Sequence, residues 1–236
     1  MTEKINTGLD KELPSLQQRL IQEVGELLDS WWVTDTIARV VDVAVRKILE
    51  SLRATANRIR ELMEGVLAPF LLYDRALEWQ GGVRSAMGTV ASATHFRELK
   101  APDEWEGRAA ERYKNSTARQ SGAAEQVGVI ADTVGQALTV SAAAGGAFYL
   151  ALAAIVAKFI SLLVAASAAT ATGVGAPVGI GAAAATALTT SAYVGAAVAA
   201  LVTLLTAQAQ TFTDVQAEAR DPKAFGEDGR WPKGTV

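Results

Sequence analysis

At 236 residues the chain can bury a hydrophobic core, but half of its residues are hydrophobic and only 20% are charged. This composition is unusual for a single soluble domain. A net charge of −3, without a Lys/Arg run interleaved with aromatics, argues against a nucleic-acid partner. The chain has no cysteine, which excludes disulfides, thiolate zinc sites and cysteine nucleophiles.

The apolar residues are mainly Ala, Val, Leu and Gly, and aromatics make up 6% of the chain. Helices that pack through small side chains are therefore favoured over a sheet, and the sequence predicts an all-α fold. The first twenty residues are polar and charged, so we expect no cleavable apolar leader. Within an N-terminal segment, residues 1–33, a helix is predicted from about Pro14 to Leu28.

The next segment carries a helical stripe between Ile37 and Val66. Its apolar positions alternate steps of three and four residues, as one face of a helix requires. They are Ile37, Val41, Ala44, Ile48, Leu52, Thr55, Ile59, Leu62 and Val66. The opposite face mixes charges of both signs, which indicates a solvated surface. Pro69 should interrupt the helix and restart it, with a less regular continuation from Phe70 to Glu98 around Gly81, Gly82 and Gly88.

A second stripe follows residue 108, again with alternating steps of four and three. Its positions are Ala109, Tyr113, Ser116, Gln120, Ala123, Val127, Ile130, Val134 and Ala137. Sustained heptad spacing is typical of coiled-coil-like packing. Because the connection to the preceding helix is short, the two helices are predicted to be antiparallel neighbours.

Between Asp132 and Asp214 the only charged residue is Lys158. Two segments there, residues 140–168 and 181–207, are each long enough to cross a hydrocarbon core of roughly 30 Å. The glycine-rich sequence between them, with Gly173, Gly175, Pro177 and Gly179, predicts a turn. Lys158 is either functional in a membrane, or it snorkels or pairs within an oligomer.

Just before the second stripe, the chain has the sequence Asp103-Glu104-Trp105-Glu106-Gly107, followed by small residues and Tyr113. This pattern resembles the WXG family, small helical hairpins exported by the type VII (ESX) secretion systems of actinobacteria and Firmicutes. The resemblance covers about residues 37–138 and is best from Trp105 to Ile130. It implies a hairpin that turns at Trp105 and Gly107, with Trp105 capping its apolar seam or anchoring its core. Trp105, Gly107 and Tyr113 are the implied secretion or partner motif.

The chain departs from the family in one respect, because no Tyr is followed four residues later by Asp or Glu. In family heterodimers the partner can supply that export element. The resemblance therefore implies a WXG-like partner, with a homo-oligomer as the alternative, and contact with the type VII machinery.

Combining the patterns gives four regions. They are the N-terminal segment (1–33), a WXG-like hairpin (34–138), an apolar hairpin expected to insert into a membrane (139–213) and a polar, mostly disordered tail (214–236). We expect no enzyme, cofactor or metal site. His95 is the only histidine, and the residues around it do not form a nucleophile elbow. The glycine-rich turn lacks the sequence of a phosphate-binding loop.

Two hypotheses follow for the function. In the first, the chain is a noncatalytic type VII substrate or secretion-associated protein, secreted or held at the cell envelope, that assembles through its helices and meets a membrane. In the second, it is a soluble helical assembly or adaptor protein whose apolar hairpin is buried in an oligomer or partner interface.

Overall fold

The computed structural model is predominantly helical, which confirms the all-α class; the residues it describes contain no strand. These residues are 14, 15, 17–19, 21, 22, 25, 26, 35–99, 104–170, 176–226 and 229–233. Every described residue of the helix expected from Pro14 to Leu28 is helical. The rest of that helix lies outside the described residues.

Among the described residues from 35 onward, six α-helices can be bounded. They are α1 (Asp35–Met63), α2 (Ala68–Leu77), α3 (Arg84–Thr94), α4 (Arg108–Thr170), α5 (Ala176–Glu218) and α6 (Pro222–Phe225). A π-helical segment, Glu78–Val83, joins α2 to α3, and a short 3-10 turn, Phe96–Glu98, follows α3.

The chain divides into two compact units. Unit 1 comprises Met1–Leu67 and Gly146–Leu201, and unit 2 comprises Ala68–Gly145 and Val202–Val236. The regions predicted at 34–138 and 139–213 do not follow this division, because each contributes residues to both units. Those boundaries were drawn from hydropathy and charge, whereas a unit is defined by which helix faces touch.

Unit 1 is held by one apolar face of α1. Its buried residues alternate steps of four and three, and they are Val45, Leu49, Leu52, Ala56, Ile59 and Met63. This face packs against Phe148, Leu152, Val156 and Phe159 of α4 and against Val194 of α5. Fully burying one such aliphatic or aromatic side chain contributes about 1.5 to 3 kcal/mol.

The predicted α1 stripe is partly displaced from the observed core. Leu52, Thr55 and Ile59 are buried as expected, but Ile48, Leu62 and Val66 lie at the edge of the cluster. The reason is that α1 packs against segments of both α4 and α5, which widens the buried face beyond a single line of residues. The side chains of Ile37, Val41 and Ala44 are outside the described set.

Unit 2 begins where the chain restarts after α1. Backbone turns follow Met63, and α2 places Pro69 in its first turn, where the missing N–H leaves no intrahelical bond unmade. The Gly81-Gly82 pair lies within the π-helical segment. The interruption at Pro69 and the irregularity at Gly81 and Gly82 are thus as predicted from the sequence, whereas Gly88, also predicted to make the helix less regular, lies within the regular helix α3.

A small hydrophobic cluster lies on α4 in unit 2. Ala123, Ile130 and Val134 are buried there, with Val127 partly buried beside them. These are four consecutive positions of the predicted second stripe. At its beginning the stripe is wrong by one residue, since Ala110 is buried and Ala109 is exposed.

The tail predicted to be mostly disordered from Asp214 differs in its described part. Helix α5 continues to Glu218, and Val215 and Phe225 are buried in the unit 2 cluster. Phe225 packs in the unit 2 cluster with residues of α4, which places this short polar segment beside that helix. Residues 227–228 and 234–236 lie outside the described residues.

Two neighbouring glycines of α4 test how closely helices approach in unit 2. A Cβ at position 145 would lie 2.8 Å from Pro69 Cγ, whereas a Cβ at 146 would meet nothing within 4 Å. The rigid proline ring cannot move aside, so Gly145→Ala should lower the free energy of unfolding by about 1 to 2 kcal/mol, even after the gain in helix propensity. Chemical denaturation measures this change.

Gly146→Ala is the matched control, and it should raise the free energy of unfolding by up to about 1 kcal/mol through helix propensity alone. If both variants are equally stable, the close contact between Pro69 and Gly145 is not present.

Candidate functional site: the Trp105–Gly107 turn and the apolar helices

Gly107 adopts a left-handed backbone conformation, with φ of 86°, directly before α4 begins at Arg108. Its carbonyl accepts a hydrogen bond from the Glu111 N–H at 3.2 Å, which starts the helix. A Cβ at this position would meet nothing within 4 Å. Glycine is therefore needed for its backbone angle, where an L-residue is disfavoured by about 1 to 2 kcal/mol, and not to avoid crowding.

Trp105 lies on the surface beside Tyr113. Its side chain is 54% exposed, and the two ring centroids are 5.7 Å apart with the planes tilted by 57°. Trp105 belongs to neither buried cluster. The expectation that it caps an apolar seam or anchors the core is therefore wrong, because its one described ring partner is the half-buried Tyr113. The pair instead forms an exposed aromatic surface in the turn before α4.

Each of four contacts within unit 2 joins two residues that lie almost equally far from Gly107 along the sequence, one before it and one after it. Pro69 meets Gly145 and Gln80 meets Gly135, Arg84 forms an ion pair with Asp132, and the Ser121 hydroxyl donates to the Ala91 carbonyl at 2.9 Å. As the residue number rises in the first segment, that of its partner falls. The midpoint of every pair lies within one residue of Gly107.

Lys158 is exposed on α4 in unit 1, with its Nζ 5.8 Å from the centre of the Tyr193 ring. Tyr193 is 56% exposed, so this cation–π contact lies at the surface and not in the core. The arrangement places an ammonium and a phenol side by side within the stretch between Asp132 and Asp214, where Lys158 is the only charged residue.

The predicted turn between the apolar helices is only partly described. Gly173 and Gly175 lie outside the described residues. Pro177 and Gly179, expected in that turn, belong to the backbone of α5, which begins at Ala176. Proline fits the first turn of a helix because its fixed φ suits that position. The predicted turn therefore extends too far along the chain.

Two helices are long and apolar enough to cross a membrane by length and composition. In the most apolar window of α4, 39% of the residues are buried, whereas the corresponding window of α5 is only 11% buried. A core helix of a soluble protein can meet the same criterion of length and composition. The low burial of α5 is what distinguishes it here, because it leaves apolar side chains such as Leu188, Val202 and Leu205 exposed.

His95 has a local structural role. Its Nδ1 accepts a hydrogen bond from the Arg97 N–H at 3.3 Å, which caps the 3-10 turn, and its ring stacks on Phe96. In the part of the chain that the structure describes, no three His, Asp or Glu side chains come together as metal ligands would.

Sequence reasoning missed one polar contact region. Ser116 and Gln120, both assigned to the second stripe, donate hydrogen bonds to the carbonyls of Lys233 and Pro232. The available signal was the presence of two polar residues, one turn apart, at positions that otherwise favour apolar side chains.

Comparison with known proteins finds no relative, since no protein-family model, curated protein or solved structure matches this chain.

Replacing Gly107 tests the backbone requirement at the turn. Gly107→Ala should lower the free energy of unfolding by about 1 to 2 kcal/mol, because alanine must adopt the left-handed conformation or displace the start of α4. Gly128→Ala in α4 is the control, since its Cβ meets nothing within 4 Å and its backbone is helical. Equal stability of the two variants in chemical denaturation would contradict a left-handed Gly107.

Proposed function

We propose that the chain is a noncatalytic protein of the WXG type, a type VII secretion substrate or secretion-associated protein, that assembles through its helices and meets a membrane through α4 and α5. The observation that carries the proposal is the set of contacts in unit 2 whose midpoints coincide at Gly107. A helical hairpin with Trp105 and Gly107 in its turn would produce this order of contacts.

A contact in unit 1 has the same midpoint. The Tyr149 hydroxyl lies 2.6 Å from where a Cβ of residue 65 would be, so glycine makes room for it there. This pair supports an antiparallel arrangement of α1 with α4 in unit 1. Together with the sequence Trp105-Glu106-Gly107, it favours a WXG-like hairpin over an unrelated helical bundle.

The exposed Trp105 supports a role in recognition. Tryptophan is among the residues most enriched at the energetic centres of protein interfaces, where it buries a large surface. A Trp that is 54% exposed beside an aromatic neighbour leaves much of that surface free for a partner. In the resemblance, the same turn carries the secretion or partner motif, so one surface accounts for both.

The membrane part of the proposal is supported by α5. A surface helix of an ordinary soluble domain shows a polar face, but between Lys158 and Asp214 the sequence has no charged residue. Leu188 is 69% exposed and Val202 is 55% exposed. Lys158 and Tyr193 fit a lipid boundary, since each combines an apolar body with a polar end.

The alternative is a soluble assembly in which other protein chains cover α5. It is favoured by the many Ala and Thr residues of this helix, which are weaker membrane residues than Leu or Ile. Small side chains also permit close helix packing between subunits. In this alternative the exposed Leu188 and Leu205 are buried by a second chain.

Leu188→Asp should separate membrane contact from a solvated monomer. The chain is expressed in cells, and membranes are washed with carbonate before the pellet and supernatant are compared. The unmodified chain should stay in the pellet, and the variant should be largely released, because a charged side chain costs about 2.5 to 3.5 kcal/mol at the centre of a membrane helix.

Leu71→Asp is the matched control, since Leu71 is 64% exposed on α2, outside the apolar segment. It should pellet like the unmodified chain. If the unmodified chain is soluble and oligomeric, and Leu188→Asp dissociates the oligomer, the soluble assembly replaces the membrane proposal. If Leu188→Asp changes neither location nor size, both readings of the apolar surface are wrong.

Trp105→Ala should reduce export from a host that carries a type VII system, measured as the amount of chain in the culture filtrate. Because Trp105 is half exposed, the loss of stability should be about 1 kcal/mol or less, well below that of a buried Trp. Tyr73→Ala, which removes another half-exposed aromatic from unit 2, should leave export unchanged. Export of both variants at the unmodified level would reject the role of the turn.

A further inference from the structure

The segment of residues 229–233, here called the strap, lies along α4 in unit 2. The Gln120 side chain donates to the Pro232 carbonyl at 3.2 Å, and the Ser116 hydroxyl donates to the Lys233 carbonyl at 2.6 Å. The donors lie one turn apart on α4, and the acceptors are consecutive main-chain carbonyls. The strap is not helical. It therefore binds as a non-helical segment, and its residue numbers rise as those of its partners on α4 fall.

This contact explains the polar residues in the second stripe. Ser116 is only 2% exposed, and a buried hydroxyl without a partner would be destabilising. The strap supplies that partner. Ser116 and Gln120 therefore interrupt the apolar pattern at the two positions that donate hydrogen bonds to the strap, which alanine side chains could not do.

The strap and the buried Phe225 that precedes it are held by different contacts. Phe225 is buried in the hydrophobic cluster of α4, and Gly226 and Gly229 follow with φ of 75° and 66°. These two left-handed glycines redirect the backbone between Phe225 and Pro232. The strap can therefore open while Phe225 remains in place.

We infer that the α4 surface around Ser116 and Gln120 is a binding site for a non-helical peptide segment, filled in this chain by its own strap and able to accept the strap of a second copy. The two hydrogen bonds go to main-chain carbonyls, so a strap from another copy presents the same acceptors. Exchange of an identical segment between copies needs no new interface chemistry. This inference goes beyond the proposed function and does not depend on secretion or on a membrane.

The test uses the full-length chain, in which a single cysteine is a unique reporter because the natural sequence has none. Ser116→Cys places a thiol beneath the strap, and its rate of reaction with a maleimide reports how often the strap opens. Gly122→Cys, at an exposed position of the same helix, gives the rate for an uncovered thiol. The Ser116→Cys thiol should react at least about ten-fold more slowly, because reaction follows the open population.

A second substitution opens the strap without touching the core. Gly229→Val forces a β-branched residue into the left-handed conformation, although its Cβ meets nothing within 4 Å. It should speed the reaction of Ser116→Cys about ten-fold. Gly229→Asn is the matched control, because Asn tolerates this conformation, and it should leave the rate within about two-fold.

Binding between copies is then tested with a synthetic peptide of residues 229–236. At millimolar concentration, comparable to the effective concentration of a tethered segment, it should slow the reaction of Ser116→Cys in the Gly229→Val chain. A peptide of the same composition in scrambled order, without the Trp-Pro-Lys sequence, serves to show whether strap side chains add to recognition. Protection by both peptides still supports a site that reads main-chain carbonyls.

The inference is overturned if Ser116→Cys reacts as fast as Gly122→Cys, or if Gly229→Val does not speed the reaction. It is also overturned if neither peptide protects the thiol in the Gly229→Val chain, since the surface then holds its strap only in cis. Circular dichroism of each variant confirms that the helices are intact during the measurement.

Discussion

Both units take a face from α4, and the side chains that this helix buries differ in size between them. In unit 2 small residues such as Ala123, Ala124 and Ala131 are fully buried. In unit 1 the same helix buries larger residues, among them Phe148, Leu152 and Phe159. Small residues let backbones approach closely, as at Gly145 and Pro69, and large ones fill a wider gap. The close approach at Gly145 and Pro69 and the largest side chains that α4 buries therefore lie in different units.

Helix α5 is placed under a different constraint, because few of its residues are covered by the chain itself. Apolar surface exposed to water is unfavourable by about 25 cal/mol per Å², so a row of exposed Leu and Val favours any arrangement that covers it. A bilayer and a second chain both do so. A bilayer and a second chain differ in the environment that they give the Lys158 ammonium. Lipid disfavours a buried charge, whereas a protein partner can place a carboxylate beside it.

Elements with a strong apolar periodicity could be predicted from the sequence. Structure that depends on a single residue or a single contact could not. Helices α1 and α4 are recognisable because their apolar positions repeat over many turns, and Pro69 interrupts because it lacks an N–H. The structure of the described residues after Asp214 could not be predicted, since it depends on the packing of Phe225 in the unit 2 cluster. Two polar residues in an apolar stripe indicated a polar contact at Ser116 and Gln120, but nothing in the residue types showed that their partner is the strap.

The sequence predicted where the backbone breaks before α4, but not why glycine is needed there or that Trp105 is exposed. Trp105, Gly107 and Tyr113 do lie together before and on the first turns of α4, yet Trp105 is exposed and Gly107 is required by its φ angle. Composition identifies a turn, but it does not show which side of that turn faces water. Such a choice depends on the packing of helices distant in sequence.

The π-helical segment Glu78–Val83 has a consequence for how unit 2 tolerates changes in chain length. The Arg84 N–H donates to the Trp79 carbonyl, five residues back, so the widened turn accommodates one more residue than an α-helix would. Each residue of an α-helix rotates the direction of its side chains by about 100°. The π turn thus shifts the direction of the α3 side chains by about 100° relative to those of α2, in a stretch that meets α4 at Pro69 before the turn and at Arg84 after it. Loss of one of the two glycines would put α3 out of phase with α4, although its composition would be almost unchanged.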